Sequence, residues 1–286
     1  MSTAMASDPN ASNRLLENAL IRICKLTDRQ VQEIISTQRE NNESFIEAAK
    51  HLGYATETDV ERALASCRRI ALVEKKALSP SEQLRLLHDP YNEHSEKVRA
   101  LRTELLLRPD IAGRANAIAV LSPGAGEGRS LLAAELAISF AQLGQSTLLI
   151  DADFRHPRQQ VLFGSDSTKG LSQAIASSGS THMQAVEGLP HLSVLTTGEI
   201  PPSPLEYLSD GRFGLLLDDL SHRYDHIVVD TPPAGATSDA LAIATLVGRV
   251  LILGRANHTP YKATREMMRR LAASRSQVLG AVLNRY

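Results

Sequence analysis

The sequence predicts a doubly wound α/β domain with a mostly parallel sheet, preceded by a small all-α domain. Three observations carry this expectation. After Asn116, short runs of β-branched residues and leucine alternate with amphipathic stretches long enough for helices, the pattern of parallel strands covered on both faces. One such run, AIAVLS, leads through the glycine-rich stretch SPGAGEGRS (Ser122–Ser130) into a helical pattern. Ahead of about residue 68, apolar residues recur only at helical spacing.

Taken in chain order, residues 1–74 form the helical N-terminal domain. Thr27 and Gln30 make a capping box ahead of Val31, Ile34 and Ile35, which share one helix face. At an offset of 29 residues, LTDRQVQEII (26–35) overlays ATETDVERAL (55–64). A duplicated helical unit and two independently capped amphipathic helices both fit that overlay. Residues 75–90 are polar and broken by Pro80 and Pro90, as suits a linker. Residues 91–286 form the α/β domain, with strands expected at AIAVLS, TLLID, LSVLTTG, HIVVD, RVLILG and VLGAVLN. Its ligands should bind at the carboxyl ends of those strands.

Composition narrows the function classes. The 286 residues are 43% hydrophobic and 22% charged, an ordinary globular balance, and the net charge of −1 gives no basic field for nucleic acid. The two cysteines, Cys24 and Cys67, form no CxxC and no metal-ligand spacing, which fits a reducing cytoplasm. The opening residues lack the basic-then-apolar pattern of a signal peptide. No run of about 18 apolar residues could span a bilayer, so a membrane role would pass through a partner.

The glycine-rich stretch has the strand–loop–helix context of a phosphate site, in which loop amides and a helix N-terminus face anionic oxygens. Gly128, Arg129 and Ser130 supply the end of GxxxxGK[ST], with arginine in the lysine slot. Pro123 takes the place of the first glycine and Gly124 follows it. Two neighbouring strands end in acids: TLLIDADFR in Asp151 and Asp153, followed by Arg155, and HIVVD in Asp230, followed by TPP. A hydrophobic strand ending in aspartate beside a phosphate loop holds Mg²⁺ or its water shell. Any one of these acids could be a cap or turn residue; three of them on two strands around one loop favour the metal.

These motifs resemble those of the bacterial tyrosine kinases of capsule and exopolysaccharide assembly, P-loop relatives of the ParA/MinD ATPases. Leu148, Leu149 and Ile150 followed by Asp151, Asp153 and Arg155 match the family's second phosphate-site motif, and Ile227–Pro233 matches its apolar-D[ST]PP motif. Gly124 stands where ParA/MinD proteins carry a signature lysine. Glu96, Arg99 and Arg102 match the family's self-association motif, its charges along one helix face. The likeness is greatest to EpsG-type chain-length-determinant kinases, whose loop similarly reads GEGRS.

The resemblance implies an ATP- and Mg²⁺-dependent protein-tyrosine kinase that regulates exopolysaccharide polymerisation, export and chain length. It would lie in the cytoplasm, peripheral at the inner membrane through a membrane-embedded co-polymerase, and form homo-oligomers. By the same resemblance Gly124, Gly126, Glu127, Gly128 and Arg129 cradle phosphates with the amides of Ser130 and Leu131. Ser130, Asp151 and Asp230 hold Mg²⁺, directly or through water, while Asp151 or Asp153 accepts the tyrosine proton and Arg129 carries the loop's catalytic charge. Asn284 and Arg285 sit where related ATPases recognise adenine, though a strand-end turn is equally open for Asn284. The family's C-terminal tyrosine cluster is replaced by one terminal acceptor, Tyr286. The N-terminal domain resembles the front of type II secretion ATPases, some of which bind cyclic di-GMP, although Cys24 falls where the second copy has Gly53. An ATP-binding regulatory subunit and a ParA/MinD-like positioning ATPase are the alternative functions.

Overall fold

In the computed structural model, the described residues are 16–17, 20–21, 23–41, 43–60, 63, 80–108, 117–176, 182–274 and 276–285. The chain divides into two compact units at Ala71/Leu72.

The first unit is helical, with α1 (Asp28–Asn41), α2 (Phe45–His51) and a further helical turn from Glu57. Ile34, Phe45, Ala48, Val60 and Ala63 are buried together in its core. Helix α1 starts where the capping box was expected: Thr27 N donates to Gln30 Oε1 (2.9 Å) and Gln30 N to Thr27 Oγ1 (3.4 Å). The second copy repeats the device with Thr56 and Asp59, at 3.0 and 3.2 Å. The copies differ at the preceding turn. Gly53 has φ 72°, whereas in the first copy the left-handed residue is Lys25 (φ 50°), one position past Cys24.

The second unit carries a seven-stranded sheet in the order β3-β4-β2-β5-β1-β6-β7. The strands are β1 (Ala117–Leu121), β2 (Thr147–Asp151), β3 (Gln184–Val186), β4 (Leu189–Leu195), β5 (His226–Asp230), β6 (Arg249–Arg255) and β7 (Gln277–Asn284). All neighbours pair in parallel except β3, which runs antiparallel to β4 at one edge. Side-chain alternation splits the strands between two cores, as a doubly covered sheet requires. Ala119, Leu121, Leu148, Ile150, Ile227 and Val229 enter one core; Ile118, Val120, Leu149 and Val228 enter the other.

The segment expected to be a linker is in part structural. Residues 75–79 lie outside the described residues, but residues 80–90 pack on the α/β unit. Ser81 N donates to Leu162 O (2.7 Å), and Leu84 and Leu86 are buried at the short helix α3 (Arg85–His88). The polar composition misled because the apolar anchor is short, Leu84 and Leu86 in the core with Leu87 packed against it. Helix α4 (Glu93–Leu106) follows, N-capped by Asn92, whose side chain accepts from Ser95 N.

The order in which strands are visited positions the site. From β1 the chain crosses to β2, leaving a gap that β5 later fills, and β6 then pairs with the other side of β1. The crevice at such a reversal, outside the carboxyl ends of the strands, is where doubly wound sheets bind ligands.

Candidate functional site

The loop after β1 turns into α5 (Arg129–Ala141) through two left-handed glycines, Gly126 (φ 72°) and Gly128 (φ 96°). A side chain at either would be strained. The turn aims the first amides of α5, which lack intrahelical partners, into the space above the sheet. That space is a cavity of about 480 Å³ lined by Gly126–Leu131, Asp153, His156, Arg158 and Pro233, among others.

Glu127 explains the loop's shape. Its carboxylate is buried, accepts from Gly124 N (2.9 Å) and from Thr259 Oγ1 (2.5 Å), and lies so close that a Cβ on Gly124 would meet it at 3.0 Å. Its side chain thus holds the loop closed, and what Glu127 can offer a phosphate is backbone. Asn284 does related work from β7, donating Nδ2–H to Glu127 O (2.9 Å). Arg255 donates to Gly126 O (3.2 Å). Asn284 is a paired strand residue, and with the exposed Arg285 it lines a second cavity of about 850 Å³ behind Gly128.

Arg129 turns inward beneath the loop. Its guanidinium donates to Ser122 Oγ (2.7 Å) and faces Asp153 Oδ2 (3.4 Å) and Asp230 Oδ1 (3.7 Å). Asp151 and Asp230 are register partners at the ends of β2 and β5, so the parallel ladder sets two buried carboxylates side by side. Burial, and then the Asp230 charge, raises the Asp151 pKa well above the ordinary carboxylate range; three backbone N–H groups act against that. Burial raises Asp230 too, opposed by Arg129 and by hydrogen bonds from Ser130 and Gln159.

The acids on β2 have turn roles as well. Asp151 accepts from the N–H of Asp153, Arg158 and Gln159 at 3.1, 3.0 and 2.9 Å, capping α6 (Gln159–Phe163). Asp153 Oδ1 accepts from the N–H of Arg155 and His156 at 3.1 and 3.0 Å. Asp153 lines the loop cavity and Asp151 does not. Among the described residues, Asp230 Oδ1 is buried with no hydrogen-bond partner.

Several residues here escaped the sequence. Gln159 donates to both Asp230 Oδ2 (2.8 Å) and Ser130 O (2.9 Å). Asp239, at the start of α7 (Asp239–Val247), takes both contacts of Arg155, at 2.7 and 3.3 Å. Ser122 and Thr259 brace the loop. An isolated glutamine, serine or threonine carries no spacing signal; only Arg155, lacking an assigned acid, pointed to a missing partner.

The three residues expected on one face of α4 are held by their own chain. Arg102 Nη1 donates to Ser139 O (2.7 Å), and Arg99 Nη1 to Pro90 O and Glu96 Oε1, both at 2.6 Å. Glu96 remains largely exposed. Tyr286 lies outside the described residues. Among the described residues, no helix is long and apolar enough to cross a membrane.

Comparison with known proteins places this site among relatives. Residues 116–263 match the family model of the cellulose biosynthesis protein BcsQ. The tyrosine-protein kinase YwqD of Bacillus subtilis (strain 168) is 35% identical over 199 residues, which are 68% of this chain and 83% of YwqD. The crystal structure of the chimerical protein CapA2B2 superposes with a TM-score of 0.67 at 31% identity, covering 81% of this chain and 99% of that one. The kinase domain of the Escherichia coli tyrosine kinase ETK gives a TM-score of 0.66 at 30% identity, over 75% of this chain and 83% of that one.

Proposed function

The chain belongs to the bacterial tyrosine-protein kinases and, through residues 116–263, to the BcsQ family; we propose that it binds Mg-ATP at the Gly124–Leu131 loop and transfers the γ-phosphoryl group to tyrosine in exopolysaccharide assembly. The observation that carries this is Asp230 Oδ1, a buried carboxylate oxygen without a hydrogen-bond partner among the described residues, beside Arg129 and Ser130. Arg129 Nε lies 3.7 Å from it, beyond hydrogen-bond reach, so the oxygen keeps its lone pairs open to a further cation or donor.

The residues present fit Mg²⁺. Among the described residues, no group of three or more His, Cys, Asp or Glu side chains could hold a metal alone. Mg²⁺ needs no such cage, since it takes one or two carboxylates and completes its octahedron with water and phosphate oxygens. Asp230 and the Ser130 hydroxyl would hold it directly and Asp151, whose oxygens already accept from three backbone N–H groups, through water; when bound it would neutralise charge on the β- and γ-phosphates.

The chain's own residues do the remaining work. The amides of residues 126–131 and the Arg129 guanidinium hold the phosphates. Asp153, which lines the cavity, accepts the proton of the attacking hydroxyl. The tyrosine oxygen bonds to the γ-phosphorus as the bond to the β–γ bridging oxygen breaks, and ADP leaves. Asn284 and Arg285 flank the adenine. The partner is a membrane-embedded co-polymerase, and copies of the chain associate through Glu96, Arg99 and Arg102.

Tyrosine acceptors need exposure. Besides Tyr286, the candidates are Tyr91 and Tyr261, at 91% and 78% exposed, whereas Tyr224 is buried with its hydroxyl on Met183 Sδ. One observation favours a second function, an ATP-binding regulatory subunit with little transfer: arginine fills the lysine slot and is drawn onto the site's own carboxylates.

Mass spectrometry after incubation with Mg-ATP separates the two, with and without the partner's cytoplasmic segment. The kinase predicts phosphotyrosine at Tyr286, Tyr91 or Tyr261. ATP binding with no phosphotyrosine in either condition would establish the regulatory subunit.

A further inference from the structure

We infer that Gln159 is the positioning residue of the metal-binding carboxylates, setting the Mg²⁺ requirement of nucleotide binding. This rests on the Mg-nucleotide site proposed above and adds a residue to it.

Gln159 is fully buried and touches each member of the expected metal set. Its backbone N–H donates to Asp151 Oδ2 (2.9 Å). Its side-chain nitrogen donates to Asp230 Oδ2 (2.8 Å) and to the carbonyl of Ser130 (2.9 Å). The amide's orientation follows from chemistry, because a carboxylate and a carbonyl both accept, so only the NH₂ end can face the two together.

The consequences are geometric. With Oδ2 of Asp230 held by Gln159, its other oxygen, Oδ1, points to the Arg129 side of the site. The same amide fixes the first turn of α5 through Ser130, so the hydroxyl and the carboxylate keep one spacing. Partners in this position orient ligand oxygens without touching the ion. Because Gln159 opens α6, the loop after β2 is tied to the strand end of β5 through one residue.

The experiment is calorimetric titration of the full chain with ADP over a series of Mg²⁺ concentrations, for wild type, Gln159→Met and Gln159→Asn. Methionine keeps length without a donor; asparagine keeps the amide but falls one methylene short, which covers a methionine variant that does not fold. Both variants should raise the Mg²⁺ concentration for half-maximal tightening by about 10–100-fold. Their ADP affinity without Mg²⁺ should fall by a much smaller factor, because the left-handed glycines that shape the loop remain in place. Thermal melts without ligand identify a loss of fold. Unchanged Mg²⁺ dependence in a folded variant overturns the role of Gln159 alone. A wild type whose ADP affinity ignores Mg²⁺ overturns the metal site itself.

Discussion

The guanidinium of Arg129 is buried among the site's own acids. It spreads beneath the loop, bonded to Ser122 and facing Asp153 and Asp230, so its planar fork serves hydroxyl and carboxylate together. The paired acids beside it predict a pH effect. Asp151 and Asp230 have raised pKa values in the folded chain, chiefly from burial. Above the ordinary carboxylate pKa the folded state therefore binds more protons than the unfolded chain, and stability of the ligand-free protein falls as pH rises across that window. Urea unfolding at successive pH values should show this decline, and Asp230→Asn should flatten it. An equally steep decline in the variant would place the titrating groups elsewhere.

At the scale of elements, α4 separates two roles that its motif combines. Arg102 is tied to Ser139 O on α5, while Glu96 projects outward. Arg102→Ala should lower stability by about 1–3 kcal/mol, because it orphans a carbonyl and removes packing. Glu96→Ala should leave stability unchanged and reduce only the assembled mass. Urea unfolding and light scattering on both variants check this; loss of mass in Arg102→Ala at full stability would show that its inward bond is immaterial.

The same contrast explains what the sequence could reveal. Strands β1, β2 and β5 were legible because buried β-branched runs have few other uses, and the helix starts at Thr27 and Thr56 because capping boxes are local. Residues 80–90 and Gln159 were not. Their partners lie far along the chain, Leu162 for Ser81 and Asp230 for Gln159, and local pattern carries no trace of such contacts.

At the scale of the whole molecule, the sheet order does most to create the site. Inserting β5 between β1 and β2 aligns Asp230 with Asp151 and brings both under a loop that β1 delivers. The two cores grip β1, β2 and β5 from both faces, which keeps that alignment rigid. A rigid carboxylate pair facing the phosphate loop suits transfer, provided that Arg129 supplies the loop's cation. Transfer of labelled γ-phosphate from ATP to the full chain, measured for wild type, Arg129→Lys and Arg129→Ala, tests this most directly. Wild type and Arg129→Lys should transfer, with Arg129→Ala slower by about 10²–10³-fold. Equal transfer by all three proteins, or none by the wild type, would contradict it.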